Sequence, residues 1–288
     1  MGSTPIFAQV KVNVVSQKIS ETIDWKPGMS LQLTAERAEI FCSTHNANTI
    51  DIEVEFIAKH ENKGTAEDDL KKMKWLNELI NKKVFVRNYI ELSRNESKPE
   101  SDINAIYHIK IPEECALEIS NYFGKIYVEN INFKLKINSE FSTIDLQNIK
   151  GNSIIKSTFG DITANKIEGE LHIESNRSDI NISNIEGKLD LQSKVAEIVL
   201  DGIKKNSKII IDAEKSKVRI NTEEISSFFF NLDLYKTELQ IPDEIQLEFT
   251  KNEKETIKAS FNKIDDYPQI DVNLNIGTLT IEQISINE

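Results

Sequence analysis

The chain has 288 residues, of which 39% are hydrophobic and 28% are charged. This is the balance of an ordinary globular protein, and the even spread of apolar residues argues against disorder. No run of eighteen apolar residues occurs, which excludes a transmembrane helix. The net charge of -12 opposes binding to nucleic-acid phosphates, and 43 isoleucines favour strands.

The N-terminal residues bear on export. The segment 5–8 (Pro-Ile-Phe-Ala) before Gln9 is similar to the end of a signal peptide, with a small residue next to the cleavage point. A Met-Gly-Ser start is also what an expression vector leaves behind. We therefore interpret residues 1–8 as a signal-peptide remnant or a vector remnant, and an ordinary cytoplasmic start is the alternative.

Most of the chain before residue 121 is expected to form strands, because apolar and polar residues alternate there. The stretch 65–83 is the exception. Thr65 is a candidate N-cap with Asp68 three residues later, and an apolar stripe follows at helical spacing, so we predict an amphipathic helix. We expect it to flank or cap the β structure, and a partner-binding helix is the alternative. The predicted strands are 7–15, 38–42, 50–57, 84–92 and 103–111.

The middle of the chain contains an eighteen-residue repeat. Aliphatic residues, serines and small residues each recur in aligned columns, and chance does not align so many. The columns are Ile126, Ile144, Ile162, Ile180 and Ile198; Ile131, Ile149, Ile167, Ile185 and Ile203; Ile137, Ile155, Ile173 and Leu191; Ser139, Ser157, Ser175 and Ser193; and Gly124, Ser142, Gly160, Ser178 and Ala196.

This period predicts an all-β fold, a right-handed parallel β-solenoid with 18-residue coils. Helical repeats need roughly 33 residues or more, whereas one solenoid coil fits the period. Coils would stack at about 4.8 Å, placing Asn130, Asn148 and Asn184 in a corner column that Lys166 interrupts. A left-handed hexapeptide helix is the alternative, but apolar steps of five, six and seven residues give unequal sides. The right hand follows from the usual winding of parallel crossovers.

The C-terminal part is less regular and is expected to close one end of the solenoid, whose open strand edges need cover. No linker-like composition separates it from the repeat. We therefore predict a single elongated domain over residues 9–288, with regular repeats at about 103–221 and an irregular sheet at 222–288. Its predicted strands are 228–241, 245–250, 256–261, 270–276 and 278–284.

The repeat also resembles a known family. A strand ending in proline at 107–112 (YHIKIP) is followed by 117–126 (LEISNYFGKI), and the motifs 159–162 (FGDI) and 167–173 (IEGELHI) recur after it. These motifs are similar to those of the putative-adhesin family of bacterial envelope β-solenoids, the toast-rack-like domain of unknown function. The resemblance extends over roughly residues 103–221. It implies an architecture and an envelope location, and it carries no catalytic residue.

The residues that bear chemistry do not assemble into a recognisable motif. The two cysteines, Cys42 and Cys115, match no metal spacing and are interpreted as buried free thiols, with a disulfide as the alternative. His172 lies between the inward positions 171 and 173 and is expected to point to solvent. The other histidines, which share no ligand spacing with it, are His45, His60 and His108.

Three acidic residues also form a column in the repeat. Asp161, Asp179 and Glu197 are eighteen residues apart, so their charges would repel at the coil spacing unless Ca²⁺, solvent or lysines relieved them. The dense glycine and aspartate signature of calcium-binding solenoids is missing. The same acids are conceivable as a glycosidase or lyase pair, but no cleft is marked by the sequence. We predict no metal, cofactor or catalytic residue.

The sequence therefore favours a non-enzymatic cell-envelope or surface protein, an adhesin-like binding or structural scaffold. Its expected partner is a protein or a glycan at the envelope, with no nucleic acid and no membrane span. Its expected location is the periplasm or the cell exterior, reached through a signal peptide that is absent or truncated here. Two alternatives stay open: a polysaccharide-active enzyme on the same scaffold, and an intracellular scaffold or sensory module.

Overall fold

The computed structural model describes residues 11–262 and 268–284, so the segment 1–8 interpreted above lies outside the described residues. The described residues contain one α-helix, α1 (Lys63–Lys72), and a 3-10 turn at Ile225–Ser227. The strands form one continuous, mostly parallel sheet. They are β1 (Asn13–Asp24), β2 (Ser30–His45), β3 (Thr49–His60), β4 (Met73–Ile80), β5 (Lys83–Ile90), β6 (Asp102–Pro112), β7 (Ala116–Glu129), β8 (Lys134–Ile149), β9 (Asn152–Thr158), β10 (Ile162–Asn176), β11 (Ile180–Lys194), β12 (Glu197–Ile203), β13 (Lys208–Thr222), β14 (Phe229–Gln240), β15 (Glu248–Glu253), β16 (Thr256–Phe261) and β17 (Gln269–Gln283).

The predicted stack of eighteen-residue coils is confirmed. Ile162 in β10 pairs in parallel with Ile144 in β8 on one side and with Ile180 in β11 on the other. All three side chains are buried. The serine column stacks in the same way, since Ser175 pairs with Ser157 and with Ser193. The chain is therefore an all-β solenoid whose apolar columns point inward, and nearly all buried apolar side chains of the described residues form one cluster.

Each regular coil contains two runs of alternating burial, joined by corners. In one coil the runs are 124–129 and 134–140, and inward side chains alternate with outward ones in both. The backbone turns through the left-handed region at Phe123 (φ 62°) and at Asn130 (φ 58°), and equivalent residues repeat this in later coils. We call these the aromatic corner and the asparagine corner. At the latter, Nδ2 of Asn148 donates to Oδ1 of Asn130 at 2.7 Å, as amide stacking predicts.

The coil that stacks on the first regular coil is formed by β2, which is far from that coil in the sequence. β2 pairs in parallel with β7 along both of its runs, for example Leu31 with Leu117 and Ile40 with Ile126. β6 lies on the opposite side of β2, where Ala105 pairs with Ala38. The expectation of regular repeats from about residue 103 therefore holds only from β7 onward. β2 carries the same inward alternation as a repeat coil, so it can occupy the position next to β7.

The predicted helix over 65–83 is present but shorter and begins earlier. Oδ1 of Asn62 accepts the backbone N–H groups of Gly64 and Thr65, so Asn62 rather than Thr65 is the N-cap. α1 ends at Lys72, and β4 then pairs antiparallel with β5. The turn between them has left-handed φ at residues 81 and 82, as a two-residue hairpin requires. Pairing with β5 thus overrides the helical periodicity of the second half.

Antiparallel strands cover both ends of the stack. At the N-terminal end β3 pairs with β6 and with β1, and α1 packs against β1 and β3. At the C-terminal end β17 lies between β13 and β14, although it follows both in sequence. The predicted strands 270–276 and 278–284 are one strand that bends at Ile276, where φ is 66°. β16 and β15 then extend the sheet from β14.

Candidate binding surface

The aromatic corner forms a ridge along the solenoid. All its residues have left-handed φ, a conformation that is unfavourable for bulky and β-branched side chains. The pairing of their neighbours places these residues in one column. The column contains basic and apolar residues and no acidic residue, although the chain has a net charge of -12. In order along the stack the column is Arg37, Phe123, Phe141, Phe159, Arg177, Val195, Lys215, Ile276 and Lys236.

Three phenylalanines stack in this ridge while each keeps about two fifths of its surface exposed. The ring centroids of Phe123 and Phe141 are 4.9 Å apart, and those of Phe141 and Phe159 are 5.0 Å apart. The guanidinium of Arg177 lies over the ring of Phe159 at 5.5 Å. Because the ring faces cover one another, the stack presents ring edges to solvent, and it stabilises a corner that is otherwise unfavourable for phenylalanine.

Tyr122 differs from the stacked rings because it stands roughly perpendicular to two of them. Its ring is at 89° to that of Phe141, with centroids 5.7 Å apart, which is an edge-to-face contact. Both faces of Phe141 are already covered by its stacked neighbours, so Phe141 must supply the edge and Tyr122 the face. Tyr122 makes a second edge-to-face contact with Phe123, with centroids 4.4 Å apart at 74°. The residue is 41% exposed and lines the adjacent groove.

Two grooves follow each other beside this ridge. The first has a volume of about 330 Å³ and includes Tyr122, Asn138, Glu140 and Lys156 in its lining. The second, of about 470 Å³, begins at Glu174 in the next coil. Where they meet, Nζ of Lys156 donates to Oε2 of Glu174 at 2.6 Å. We call the two grooves together the trough. The other side chains that line its second part include Gln192, Lys194, Asp212, Glu214, Tyr235, Asn273 and Asn275.

His172 points outward, as predicted, but it is only partly exposed. Its Nε2 lies 3.1 Å from Oε1 of Glu174, and its Nδ1 lies 3.4 Å from Oδ2 of Asp190. Hydrogen bonds from Lys156 and from His172 hold the pKa of Glu174 below its ordinary value. The carboxylate nearest the middle of the trough is therefore kept ionised.

Two carboxylates of the column considered for calcium accept hydrogen bonds from the backbone of the next coil. Oδ1 of Asp161 accepts the backbone N–H of Asp179 at 3.2 Å, and Oδ1 of Asp179 accepts that of Glu197 at 2.8 Å. These bonds tie successive coils together outside the regular ladder. In the described part of the chain no group of three or more histidine, cysteine or acidic residues is arranged to hold a metal ion.

The two cysteines are buried and unpaired, so the interpretation as free thiols is confirmed. Burial raises the pKa of Cys115 to about 11, and burial also raises that of Cys42. Both thiols are therefore protonated and unreactive at neutral pH. They lie within the core near the N-terminal end and take no part in the trough.

The sequence contains an aromatic column that marks this surface, but the carboxylate column was considered as a site instead. Phe123, Phe141 and Phe159 are eighteen residues apart and directly precede the column of small residues, so an aromatic column was visible. Only the structure shows that these rings are exposed and flank a trough. Tyr235 and Asn273 reach the same trough from strands outside the repeat, and their spacing gives no hint of it.

Comparison with known proteins places the chain in a family. The family model described as Toastrack DUF4097 matches residues 30–282, which is most of the chain. The chain belongs to this family. The match includes β2 and nearly all of β17, the two strands that are inserted out of sequence order. No curated protein matches it.

The solved structures that match the chain share little sequence with it. A "putative adhesin" from Bacteroides fragilis NCTC 9343 is 10% identical, with 92% of this chain and 97% of that chain covered and a TM-score of 0.47. One from Parabacteroides distasonis ATCC 8503 is 10% identical, with 94% and 97% covered and a TM-score of 0.41. A "putative cell adhesion protein" from Clostridium sporogenes ATCC 15579 is 12% identical, with 93% and 99% covered and a TM-score of 0.27. Among the described residues, no helix has the length and apolar character to span a bilayer.

Proposed function

We propose that this protein is a non-enzymatic, adhesin-like scaffold of the cell envelope, exported to the periplasm or the surface, that binds a protein or glycan partner. The trough is the observation that carries the proposal. It extends over many stacked coils beside an exposed aromatic ridge, so a partner lying in it would make many small contacts. Such a surface suits retention of an extended partner better than reaction at one point.

The carboxylates of the trough also favour binding over hydrolysis. A glycosidase acid must be protonated near neutral pH, which requires a raised pKa. Glu174, the acid in the middle of the trough, has a lowered pKa because Lys156 and His172 donate to it. Glu174 is therefore ionised near neutral pH, which does not suit the role of the general acid.

The enzymatic alternative is tested with a panel of soluble polysaccharides. The purified chain is incubated with each one, and both retention on the protein and release of new reducing ends are measured. We expect retention of at least one polymer or of an envelope protein, without new reducing ends. Turnover that is abolished in Glu174→Gln but retained in Glu168→Gln would overturn the non-enzymatic assignment. Glu168 is the matched control, because it lies in the same strand and pairs with Lys150 at 3.0 Å outside the trough lining.

The location is tested separately, in the bacterium that produces the protein. The gene is tagged at its 3′ end so that its own upstream sequence directs the product, and cells are then fractionated. We expect the tagged protein in the envelope or the medium, accessible to protease after mild outer-layer disruption. Recovery in the cytosolic fraction, protected until lysis, would support an intracellular scaffold instead.

A further inference from the structure

One column of residues follows the two grooves of the trough along the stack and has a tyrosine near each end. Strand pairing links Tyr122 to Tyr235 through successive coils at equivalent positions, with seven coil steps between them. At the usual strand spacing this path is about 34 Å long. The intermediate residues of the column are Glu140, Thr158, Asn176, Lys194, Glu214 and Asn275.

Each end of this path has an exposed aromatic side chain. Tyr122 is 41% exposed in the lining of the first groove, and Tyr235 is 40% exposed in the lining of the second. Nζ of Lys236 lies 5.2 Å from the Tyr235 ring centre, and the Tyr235 hydroxyl donates to Oε2 of Glu255 at 3.3 Å, so the position of this ring is held by two contacts. The face of an aromatic ring is electron-rich and packs well against the C–H groups of a sugar ring.

The path between the tyrosines is polar and repeats at the coil spacing. Amide and hydroxyl groups such as those of Asn138, Thr158 and Gln192 offer donors and acceptors to a ligand. A repeating polymer with many hydroxyl groups fits this arrangement better than a folded protein surface.

The charges of the trough select among such polymers. Its lining contains four carboxylates and two lysines. Lys156 is paired with Glu174 at 2.6 Å, and Lys194 lies 3.7 Å from Glu214. Both lysines are thus already neutralised, while the protein as a whole is acidic. A uronic-acid or phosphate-bearing polymer would be repelled.

We propose that the trough binds an uncharged polysaccharide lengthwise, with its sugar rings against Tyr122 and Tyr235 and its hydroxyl groups on the polar residues between them. This inference rests on the proposed scaffold function and names the ligand class for it. One sugar residue is about as long as one coil spacing, so consecutive sugars would meet equivalent side chains in consecutive coils.

The test measures binding of the full chain to soluble neutral polysaccharides (mannan, galactan, β-glucan and dextran) and to the anionic polymers alginate and polygalacturonate. We expect at least one neutral polymer to bind and neither anionic polymer to do so. For the neutral polymer that binds, Tyr122→Ala should weaken affinity by about tenfold. Tyr122→Phe should retain it, because the ring face and not the hydroxyl makes the contact.

A matched control separates the trough from exposed aromatic residues in general. Phe249 in β15 is 49% exposed and lies outside the trough lining, so Phe249→Ala should leave polysaccharide binding unchanged. Circular dichroism and thermal unfolding of each variant verify that the coils remain folded. Equal losses in Tyr122→Ala and Phe249→Ala would overturn the assignment of the site.

The remaining outcomes separate this inference from the function on which it rests. Preference for the anionic polymers, or neutral binding that survives Tyr122→Ala, overturns the inference and leaves a binding scaffold in place. Binding of an envelope protein with no polysaccharide bound also overturns it alone. Recovery of the tagged protein in the cytosol together with no binding to any polymer would overturn both.

Discussion

The regular coils and the two ends of the solenoid are built from strands with the same inward and outward alternation. In the regular coils, strands that stack in space also follow each other in sequence, and at the two ends they do not. In the regular part, neighbours in space such as Ile162 and Ile180 are eighteen residues apart. At the N-terminal end Leu31 pairs with Leu117, and at the C-terminal end Ile209 pairs with Ile270. The side-chain alternation is alike in all three places, so each inserted strand can occupy a coil position.

This difference affects how each part assembles. Contacts eighteen residues apart close short loops, whereas β2 with β7 and β13 with β17 must close much longer ones, at a higher entropic cost. We infer that the regular coils form first and that the inserted strands add to them. The ends should then open at lower free energy than the middle, as separate units of local unfolding.

The largest expected effect comes from a charge placed inside the regular coils. Ile180 is buried between Ile162 and Ile198, and Ile180→Asp would bury a carboxylate without a partner. We expect a loss of on the order of 4 kcal/mol in the free energy of unfolding, measured by urea denaturation. Asn181→Asp introduces the same group one residue later on the exposed face and should change stability by less than about 0.5 kcal/mol. Similar losses in both would reverse the assignment of inner and outer faces.

Two glycine substitutions compare the middle with the C-terminal end. In the regular coils Gly187 has φ 120°, and an added Cβ would overlap the backbone carbonyl of Gly169. In β17 a Cβ on Gly277 would overlap the carbonyl of Ser216 in β13. We expect Gly187→Ala to lower global stability by about 3 kcal/mol. Gly277→Ala should act locally, by releasing β17 from β13.

Hydrogen exchange followed by mass spectrometry distinguishes these two outcomes. In Gly277→Ala the loss of protection should be confined to β14 and β17, whereas β8 to β11 stay protected as in the parent chain. Gly187→Ala should raise exchange throughout the stack. If Gly277→Ala also raised exchange in β8 to β11, the C-terminal end would be part of the same cooperative unit and the proposed order of assembly would be wrong.

The N-terminal end depends on a buried carboxylate, which makes it sensitive to acid. Burial raises the pKa of Asp69, but the Lys72 ammonium and the backbone N–H groups of Ser101 and Glu100 outweigh this and hold it below its ordinary value. The fold therefore favours the ionised form. Its stabilisation is present above the unfolded-state pKa of about 3.9 and is lost as pH falls through the lower folded-state value.

Asp69→Asn should accordingly cost about 2 kcal/mol at pH 7, since the variant lacks the charge that these donors stabilise. The gap between parent and variant in urea denaturation should close as the pH is lowered below about 4. Asp68→Asn is the control, because its carboxylate is exposed and paired only with Lys71 among the described residues. A gap that is equally wide at low pH would show that the contribution of Asp69 is not electrostatic.

The regular coils could be predicted from the sequence, whereas the ends could be predicted only in part. The difference depends on whether strands that stack in space also follow each other in sequence. Where the next coil in space is the next coil in sequence, stacking leaves a fixed period, and Ile126 to Ile198 display it. The insertion of β2 and β17 leaves no period, because each pairs with a strand far away. The second half of the predicted helix was wrong because hairpin pairing of Leu76 and Leu79 with β5 is not visible in helical periodicity.

The candidate site was less predictable than the fold. The carboxylates Asp161 and Asp179 stood out as a column, yet they accept backbone N–H groups. The trough depends on the perpendicular packing of Tyr122 against the stacked rings and on the position of Tyr235 in β14. The first follows from side-chain packing and the second from the insertion of β17 between β13 and β14, and neither leaves a column in the sequence.

The smallest expected effect is a gain in stability at the asparagine corner. Lys166 holds left-handed φ (59°) in the column where Asn148 precedes it and Asn184 follows it. Asn148 donates to Asn130, but its own buried Oδ1 has no hydrogen-bond partner among the residues that the structure describes. In Lys166→Asn the new amide would donate to this oxygen and would suit the backbone better. We expect a gain of about 1 kcal/mol in the free energy of unfolding.

The junction with the C-terminal end supplies the control for this gain. Lys215 also has left-handed φ (52°), but it lies between Val195 and Ile276 in the aromatic corner, where no amide stands next to it in the column. Lys215→Asn should gain only the backbone preference, about 0.5 kcal/mol. The difference between the two variants in thermal and urea denaturation then measures the amide ladder itself. If Lys166→Asn gained no more than Lys215→Asn, the ladder would contribute nothing, and the regular coils would owe their stability to the apolar columns alone.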